Sequence, residues 1–281
     1  MAIKHLKPTT NGRRSASVQD FSDITKKRPE KSLTGVLNKQ SGRNHTGRIT
    51  VRHRGGGVKR LYRIIDFKQH IFDMPATVEA IEYDPNRGAR IALIRYTDGK
   101  KAYIIAPFGV TVGVTIISSQ KKVEPTPGNR MPLEHIPVGM FVHNVEMVPG
   151  KGGQMVRTAG SSAQLQVIEG RFAQLKLASG EVRLVVKEAT ASIGTVSNPD
   201  FKLVRLGKAG RMRKLGWKPV VRGKAMNPVD HPHGGGEGRN PIGFKGGPKT
   251  PWGKKALGVK TRKPKKGSSA LIVSRRKKRK K

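Results

Sequence analysis

The sequence predicts a mostly β protein, two small barrels in tandem carried between long irregular basic extensions. Short apolar runs rich in Val, Ile and Tyr recur between turn signals through the middle of the chain. No segment there sustains a 3.6-residue period. Positive charge concentrates at the two ends, away from those runs.

Of 281 residues, 57 are Lys or Arg and 18 are Asp or Glu, for a formal net charge of +39. Residues 1–60 hold 15 basic and 3 acidic side chains (+12), residues 61–200 hold 16 and 13 (+3), and residues 201–281 hold 26 and 2 (+24). The middle therefore has the composition of an ordinary globule. Self-repulsion opposes a compact arrangement of the whole chain in water, which implies a polyanionic partner.

Candidate strands are Leu61–Asp66, Thr77–Tyr83, Ala89–Tyr96, Lys101–Ala106, Val112–Ile117, Phe141–Met147, Ala163–Glu169, Ala173–Leu177 and Val182–Lys187. Asp98-Gly99 and Ser179-Gly180 mark two hairpins, each with a Gly where a tight turn wants positive φ. Strands this short at this spacing indicate barrels in preference to a sandwich or a parallel sheet. The Pro, Gly and Lys cluster Lys121–Pro132 reads as the boundary between them. The expected partition is 1–60, 61–125, 126–200 and 201–281. In the terminal segments Gly and Pro interrupt every periodic pattern, so neither is expected to order itself by burying apolar surface.

The absence of Cys removes disulfides, thiolate nucleophiles and the commonest structural zinc ligands. That fits a reducing compartment, the cytoplasm or an organelle matrix. Met1 to Arg14 has no signal-peptide apolar run, and no stretch approaches the ~20 apolar residues of a membrane helix. Secretion and membrane insertion are not expected.

Gly47 to Arg63, GRITVRHRGGGVKRLYR, places Arg48, Arg52, Arg54, Lys59 and Arg60 around the triplet Gly55–Gly57. A phosphate-lining loop is the natural reading, with guanidinium forks for bidentate contacts and glycine amides able to approach closely. A flexible basic linker is the competing one. The C-terminal segment adds Arg211, Arg213, Arg222 and Arg239 as candidate RNA contacts, and the seven residues Arg275 to Lys281 are all basic. Gly253 and Gly258 have P-loop spacing, but Val259 and Lys260 follow where Lys and then Ser or Thr are required, so nucleotide hydrolysis is not supported.

Met226 to Pro241, MNPVDHPHGGGEGRNP, gathers Asp230, His231, His233 and Glu237 in an otherwise almost acid-free segment. Metal binding or general-base chemistry would use such residues. Against both stand the missing Cys, flanking Pro and Gly that fix no helix, and the lack of a discernible nucleophile and base set. Neutral imidazoles can instead hydrogen-bond or stack on bases, and no metal, cofactor or catalytic residue is expected. Aromatics are few, 8 Phe, 4 Tyr and 2 Trp, so recognition is expected to rest on shape and backbone. Trp217 and Trp252 could stack on bases or pack on the protein itself.

These segments, together with EYDPNRGARIALI (Glu82 to Ile94), IPVGMFVHNVEMVPGKGGQMVRTAG (Ile136 to Gly160), VRLGKAGRMR (Val204 to Arg213) and TPWG (Thr250 to Gly253), resemble the bacterial-type large ribosomal subunit protein two family. The resemblance runs from PTTNGRR, starting at Pro8, to the basic tail. It implies an OB-fold barrel at 61–125, an SH3-like barrel at 126–200, and extensions threaded into large-subunit rRNA. It also implies roles in subunit association, tRNA binding and support of the peptidyl transferase region, with other ribosomal proteins and the small subunit nearby. The family's rRNA-binding arginines carry over to Arg87 and Arg157, and its histidine loop to His231 and His233 without assigned chemistry. The family often has His after the Gly triplet; this chain has Val58.

The expected function is a primary rRNA-binding component of the ribosome, cytoplasmic or organellar. A DNA-compacting architectural protein would share the charge but usually relies on helices or inserted apolar wedges. An enzyme assisting peptide-bond formation through His231 is the third class. RNA binding through the Gly47–Arg63 loop is expected to weaken with salt by about 0.9 log units per phosphate neutralised on a duplex, measured by titration across ionic strength. A salt-insensitive affinity would count against that reading.

Overall fold

Strand Ala76–Glu82 pairs antiparallel with Ile91–Tyr96, and their register shifts between Val78 and Ala80. In an unbroken strand those two residues share a face, because side chains alternate. The shift sets Val78 opposite Ile94 but Ala80 opposite Leu93, so they enter separate apolar clusters. One cluster gathers Val78, Ala92, Ile94 and Ile104, the other Ala80, Ile91, Leu93, Tyr103 and Ile105. Ile91 to Ile94 is thus buried on both faces, which is why the sequence reads IALI without alternation. The bulge also bends and twists its strand, the local requirement for a curled sheet. The computed structural model describes residues 3–237, 241–263 and 265–276. In it this sheet has four antiparallel strands in the order Lys101–Ile105, Ile91–Tyr96, Ala76–Glu82, Thr115–Ile116.

The second sheet has seven strands, in the order Ile272–Ser274, Val182–Val186, Phe172–Leu177, Ala163–Glu169, Phe141–His143, Thr190–Ile193, Arg130–Pro132. Met131, Val142, Leu165, Leu175, Val185 and Ile193 from six of these strands meet in one core cluster, so the sheet is curled around its own interior. The expected mostly β, barrel-like fold is therefore what the chain adopts. Besides Ile272–Ser274, two strands of this sheet have no counterpart in the sequence reading. Arg130–Pro132 lies in the stretch read as a boundary, and its Pro is tolerated because the strand is at the sheet edge. Thr190–Ile193 is four residues of TASI, too short and small to signal by pattern.

Pieces of both terminal segments are ordered by backbone pairing. Ile3–His5 pairs with Ser17–Gln19, Thr34–Val36 with Leu61–Arg63, and Ile272–Ser274 with Val182–Val186. Edge strands offer free N–H and C=O groups to any extended chain, whatever its side chains, so hydrophobic patterning does not reveal such pairs. The described residues also hold a separate strand pair, Val145–Glu146 with Gly153–Met155, five 3-10 turns and two short α-helices, Asn11–Arg14 and Ala209–Lys214, and no helix among them is long and apolar enough to cross a membrane. The chain forms two compact units. A barrel unit comprises the described residues of Met1–Asn38, Lys59–Arg211 and Ala270–Lys281; an arm unit comprises those of Lys39–Val58 and Met212–Ser269.

Within the barrel unit the two sheets are joined by main-chain contacts. Ser118 bridges Arg130, Pro107 bridges Val196, and the Gly153 amide donates to the Phe67 carbonyl at 2.9 Å. Polar groups buried around the second sheet are satisfied only in part: Arg130 Nε and Nη2, Asn144 Oδ1 and Thr190 Oγ1 have no hydrogen-bond partner. Arg130, fully buried, donates to the Asn144 carbonyl at 2.8 Å and stands 3.3 Å from the Glu146 carboxylate. Burial lowers Arg130 to about 10, so it remains a cation at neutral pH. Glu146 in turn accepts the amides of Gly150, Gly152 and Thr190, which fixes the loop ahead of strand Gly153–Met155. Removing one member of such a pair leaves an uncompensated buried charge, at a cost of about 3–5 kcal/mol.

His143 donates from Nδ1 to the Gly194 carbonyl at 3.0 Å, and burial pushes its pKa down to about 4, with Arg130 adding repulsion. Because the folded value lies below the unfolded one, its contribution to stability is present above about pH 6.5 and is lost as the pH falls toward 4. Urea midpoints measured from pH 7 to pH 4 are expected to show this loss, and the His143→Gln variant to lack that part of the slope.

Candidate nucleic-acid interface

Arg87 and Arg157 lie 70 positions apart in the sequence, and the barrel unit brings both guanidinium groups onto the ring of Phe67. Their central carbons stand 5.8 and 4.5 Å from its centroid. Each arginine is held by its own local turn. The buried Asp84 accepts from Arg87 Nε and from the Asn86 amide. Asn86 Nδ2 donates to the Leu61 carbonyl, and Arg60 donates to that of Pro85, so the DPNR turn is pinned from both sides. Arg157 donates to the Gly153 carbonyl at 3.2 Å, on the strand that follows the loop Glu146 anchors. Phe67 is placed by the turn at Asp66, whose carboxylate accepts the amides of Lys68 and Gln69. The result is a cleft of about 590 Å³ lined by Tyr62, Phe67, Asn86, Arg87, Gln154 and Arg157.

Such a site can offer the Arg157 charge, the Asp84-paired Arg87 guanidinium and an aromatic floor to a polyanion, and stacking on aromatic and guanidinium planes is how unpaired bases are commonly held. Tyr62, Phe67 and Asn86 do not emerge from the sequence reading. Phe67 carries no motif of its own, and only contact with two distant arginines distinguishes it from a core residue.

In the arm unit, the two basic segments interlock main chain against main chain. The Gly55 amide donates to the Gly216 carbonyl, Val58 to Lys214, and Lys218 to His53, while Arg54 and Trp217 form a bridge pair. The Arg54 guanidinium stands 3.3 Å from the Trp217 ring centroid, and Arg52 lies 5.5 Å from Trp252. Arg213 donates to the Trp217 carbonyl, His53 to that of Pro219, and Lys39 to that of Val58. The glycine triplet also serves contacts within the protein. The amides of Gly55 and Val58 are used within the protein, and Gly57, at φ +84°, lies so close to Gly216 that a Cβ would come within 2.8 Å of its nitrogen.

His231 is buried, and its ring presses on Gly223, where a Cβ would lie 2.5 Å away. Its Nδ1 accepts the His233 amide at 3.0 Å, and His233 Nε2 accepts the Lys249 amide at 2.9 Å. Both rings must be neutral at those nitrogens. Partial burial, with His231 and Lys249 nearby, also holds His233 below the usual imidazole range. Among the described residues no group of three His, Asp or Glu side chains could hold a metal ion.

The candidate residues thus divide. Lys59, Arg60, Arg87, Arg157 and Arg211 belong to the barrel unit, and Arg48, Arg52, Arg54, Arg213, Arg222, His231 and His233 to the arm unit. The Gly47–Arg63 motif is split between the units after Val58. Arg211 Nη1 faces three main-chain carbonyls, those of Ser17, Arg205 and Leu206. Arg48 and Arg222 are exposed. Arg239 and most of the terminal run, 277–281, lie outside the described residues.

Curled β sheets, with a half-buried Arg87 and an exposed Arg157 around an aromatic floor, in a chain of net charge +39, define the class: a nucleic-acid-binding scaffold. Residues 30–118 match the family described as Ribosomal Proteins L2, RNA binding N-terminal domain, and residues 126–253 match Ribosomal Proteins L2, C-terminal domain. The chain belongs to the ribosomal protein L2 family, the rRNA-binding structural proteins of the large ribosomal subunit.

Both tryptophans lie in the arm unit, so tryptophan emission reports on it alone. Gly57→Ala is expected to red-shift that emission by forcing the two segments apart, whereas Gly35→Ala, with open space at its Cβ, is expected to leave it unchanged.

Proposed function

We propose that this protein stabilises folded large-subunit rRNA by gripping it at the Arg87–Phe67–Arg157 cleft while its remaining cations neutralise phosphates that tertiary packing crowds together. The observation that carries the proposal is the convergence of two arginines 70 positions apart, one after strand Ala76–Glu82 and one after strand Gly153–Met155, on one aromatic ring in an open cleft. Two rigid sheets joined by main-chain bonds hold that spacing before RNA arrives, so little ordering cost is paid on binding. Through this anchorage the chain acts as a primary rRNA-binding protein. It supports subunit association, tRNA binding and the peptidyl transferase region, in contact with other ribosomal proteins and near the small subunit, in cytoplasmic ribosomes.

The contribution is architectural. The candidate base nitrogens of the histidine loop, His231 Nδ1 and His233 Nε2, accept main-chain amides, so their lone pairs hold the loop and are not free to take a proton. DNA compaction is disfavoured by the same features: the described helices have four and six residues, too short to fill a groove.

Arg87→Gln and Arg157→Gln are each expected to weaken binding to a large-subunit rRNA fragment by about 1–3 kcal/mol and to flatten the salt dependence by about one phosphate. Filter binding across ionic strength measures both. Unchanged affinity in the two variants would remove the cleft from the interface.

A further inference from the structure

Two adjoining clefts in the arm unit share Ser41, Val51 and Arg54 as a common wall. The first, about 520 Å³, is lined by Arg43, Arg52, Arg54, Arg213 and Lys218, with no carboxylate in its lining. The second, about 480 Å³, is closed by Leu215, Val51 and the glycine backbones of Gly42, Gly55, Gly56 and Gly216, with Lys39 its only other cation. Both volumes fall in the range of roughly 300–1,000 Å³ that holds small ligands. One cleft suits an anion, and its neighbour suits a flat, mostly apolar group.

We propose that this pair of clefts seats a single nucleotide of an unpaired RNA strand, phosphate in the first and base in the second, with the Arg54 guanidinium between them. Arg54 has Trp217 at its back, 3.3 Å from ring centroid to guanidinium carbon, and it lines both clefts. A guanidinium held flat in this way is a stacking platform for a base as well as a charge for the phosphate. Ile49, Val51 and Leu215 remain exposed around it, apolar side chains left uncovered among cations. A base in a duplex presents only its edge, so the second cleft selects a strand whose base is free to leave the stack. An acidic peptide would satisfy the first cleft and leave the second empty. The site is composite: neither Lys39–Val58 nor Met212–Ser269 supplies both clefts alone. The inference rests on the RNA-binding reading above but concerns a different site from the Phe67 cleft.

The test uses the full chain carrying Trp252→Phe, which leaves Trp217 as the only tryptophan. An unstructured pentaribonucleotide is expected to change Trp217 emission saturably. Arg43→Gln and Lys218→Gln, both at exposed positions, are each expected to weaken that titration by about tenfold, the loss of one charge-assisted contact. Arg54→Lys, which keeps the charge and loses the plane, is expected to weaken the pentaribonucleotide more than inorganic phosphate. No emission change, or equal titrations for the parent, Arg43→Gln and Lys218→Gln proteins, overturns the proposal. So does an equal response to inorganic phosphate, which marks a general anion seat, or to pentaglutamate, which marks an acidic-peptide site. If rRNA-fragment binding still depends on Arg87 and Arg157 while Trp217 is silent, this inference falls and the proposed function stands; if both readouts fail, both fall.

Discussion

The guanidinium of Arg90 is 1% exposed and joins three parts of the barrel unit at one point. Its fork takes both oxygens of Asp23, at 2.8 and 3.1 Å, and it also reaches Gln19 Oε1 and the Asp20 carbonyl. Its amide donates to Ser197 Oγ near the end of the second sheet, and its carbonyl accepts from Ala106 in the first. A buried cation without its carboxylate is far more costly than one with it. The N-terminal segment Gln19–Asp23, the first sheet and the second are therefore bound to a common geometry, and the spacing between Arg87 and Arg157 depends on that geometry.

The same logic explains where the scarce carboxylates go. Asp23 and Glu146 neutralise buried Arg90 and Arg130. Asp84 orients Arg87, Asp66 makes the turn that presents Phe67, and Glu82 accepts from Tyr103 inside the first sheet, where burial pushes its pKa up. These acids act as internal fixtures. Others pair cations nearer the surface, Glu79 with Arg95 and Lys101, Asp98 with Lys100, and Glu134 with Lys187, so the near-neutral middle of the sequence presents mixed charge outward. In the arm unit, charge is organised differently, with guanidinium groups laid on tryptophan rings or directed at main-chain carbonyls. Such pairing orders the arginines without cancelling their charge.

Much of the fold was legible because strands announce themselves by side-chain pattern. Ala163–Glu169 matches the expected segment, and the hairpins at Asp98-Gly99 and Ser179-Gly180 connect the expected strands. Elements stabilised through the backbone were silent. Ile272–Ser274 and Thr34–Val36 are strands because a neighbour offers an unpaired edge, and no pattern within them says so. The glycine triplet shows the limit of motif reading: its permissive backbone was evident, but not that it serves close approach to Gly216 within the chain.

The sequence by itself determined the fold class, the family and the need for a polyanionic partner, since charge segregation and long ordered motifs are properties of the linear chain. It also confined the candidate chemistry to arginines and two histidines. Only the tertiary structure decided which of these act together. Arg87 and Arg157 meet across Phe67, Arg54 lies on Trp217, and His231 is turned inward onto Gly223. The reason is physical: these are contacts between residues distant in sequence, set by how two bulged sheets close and how two glycine-rich segments interlock, and no local pattern encodes that distance.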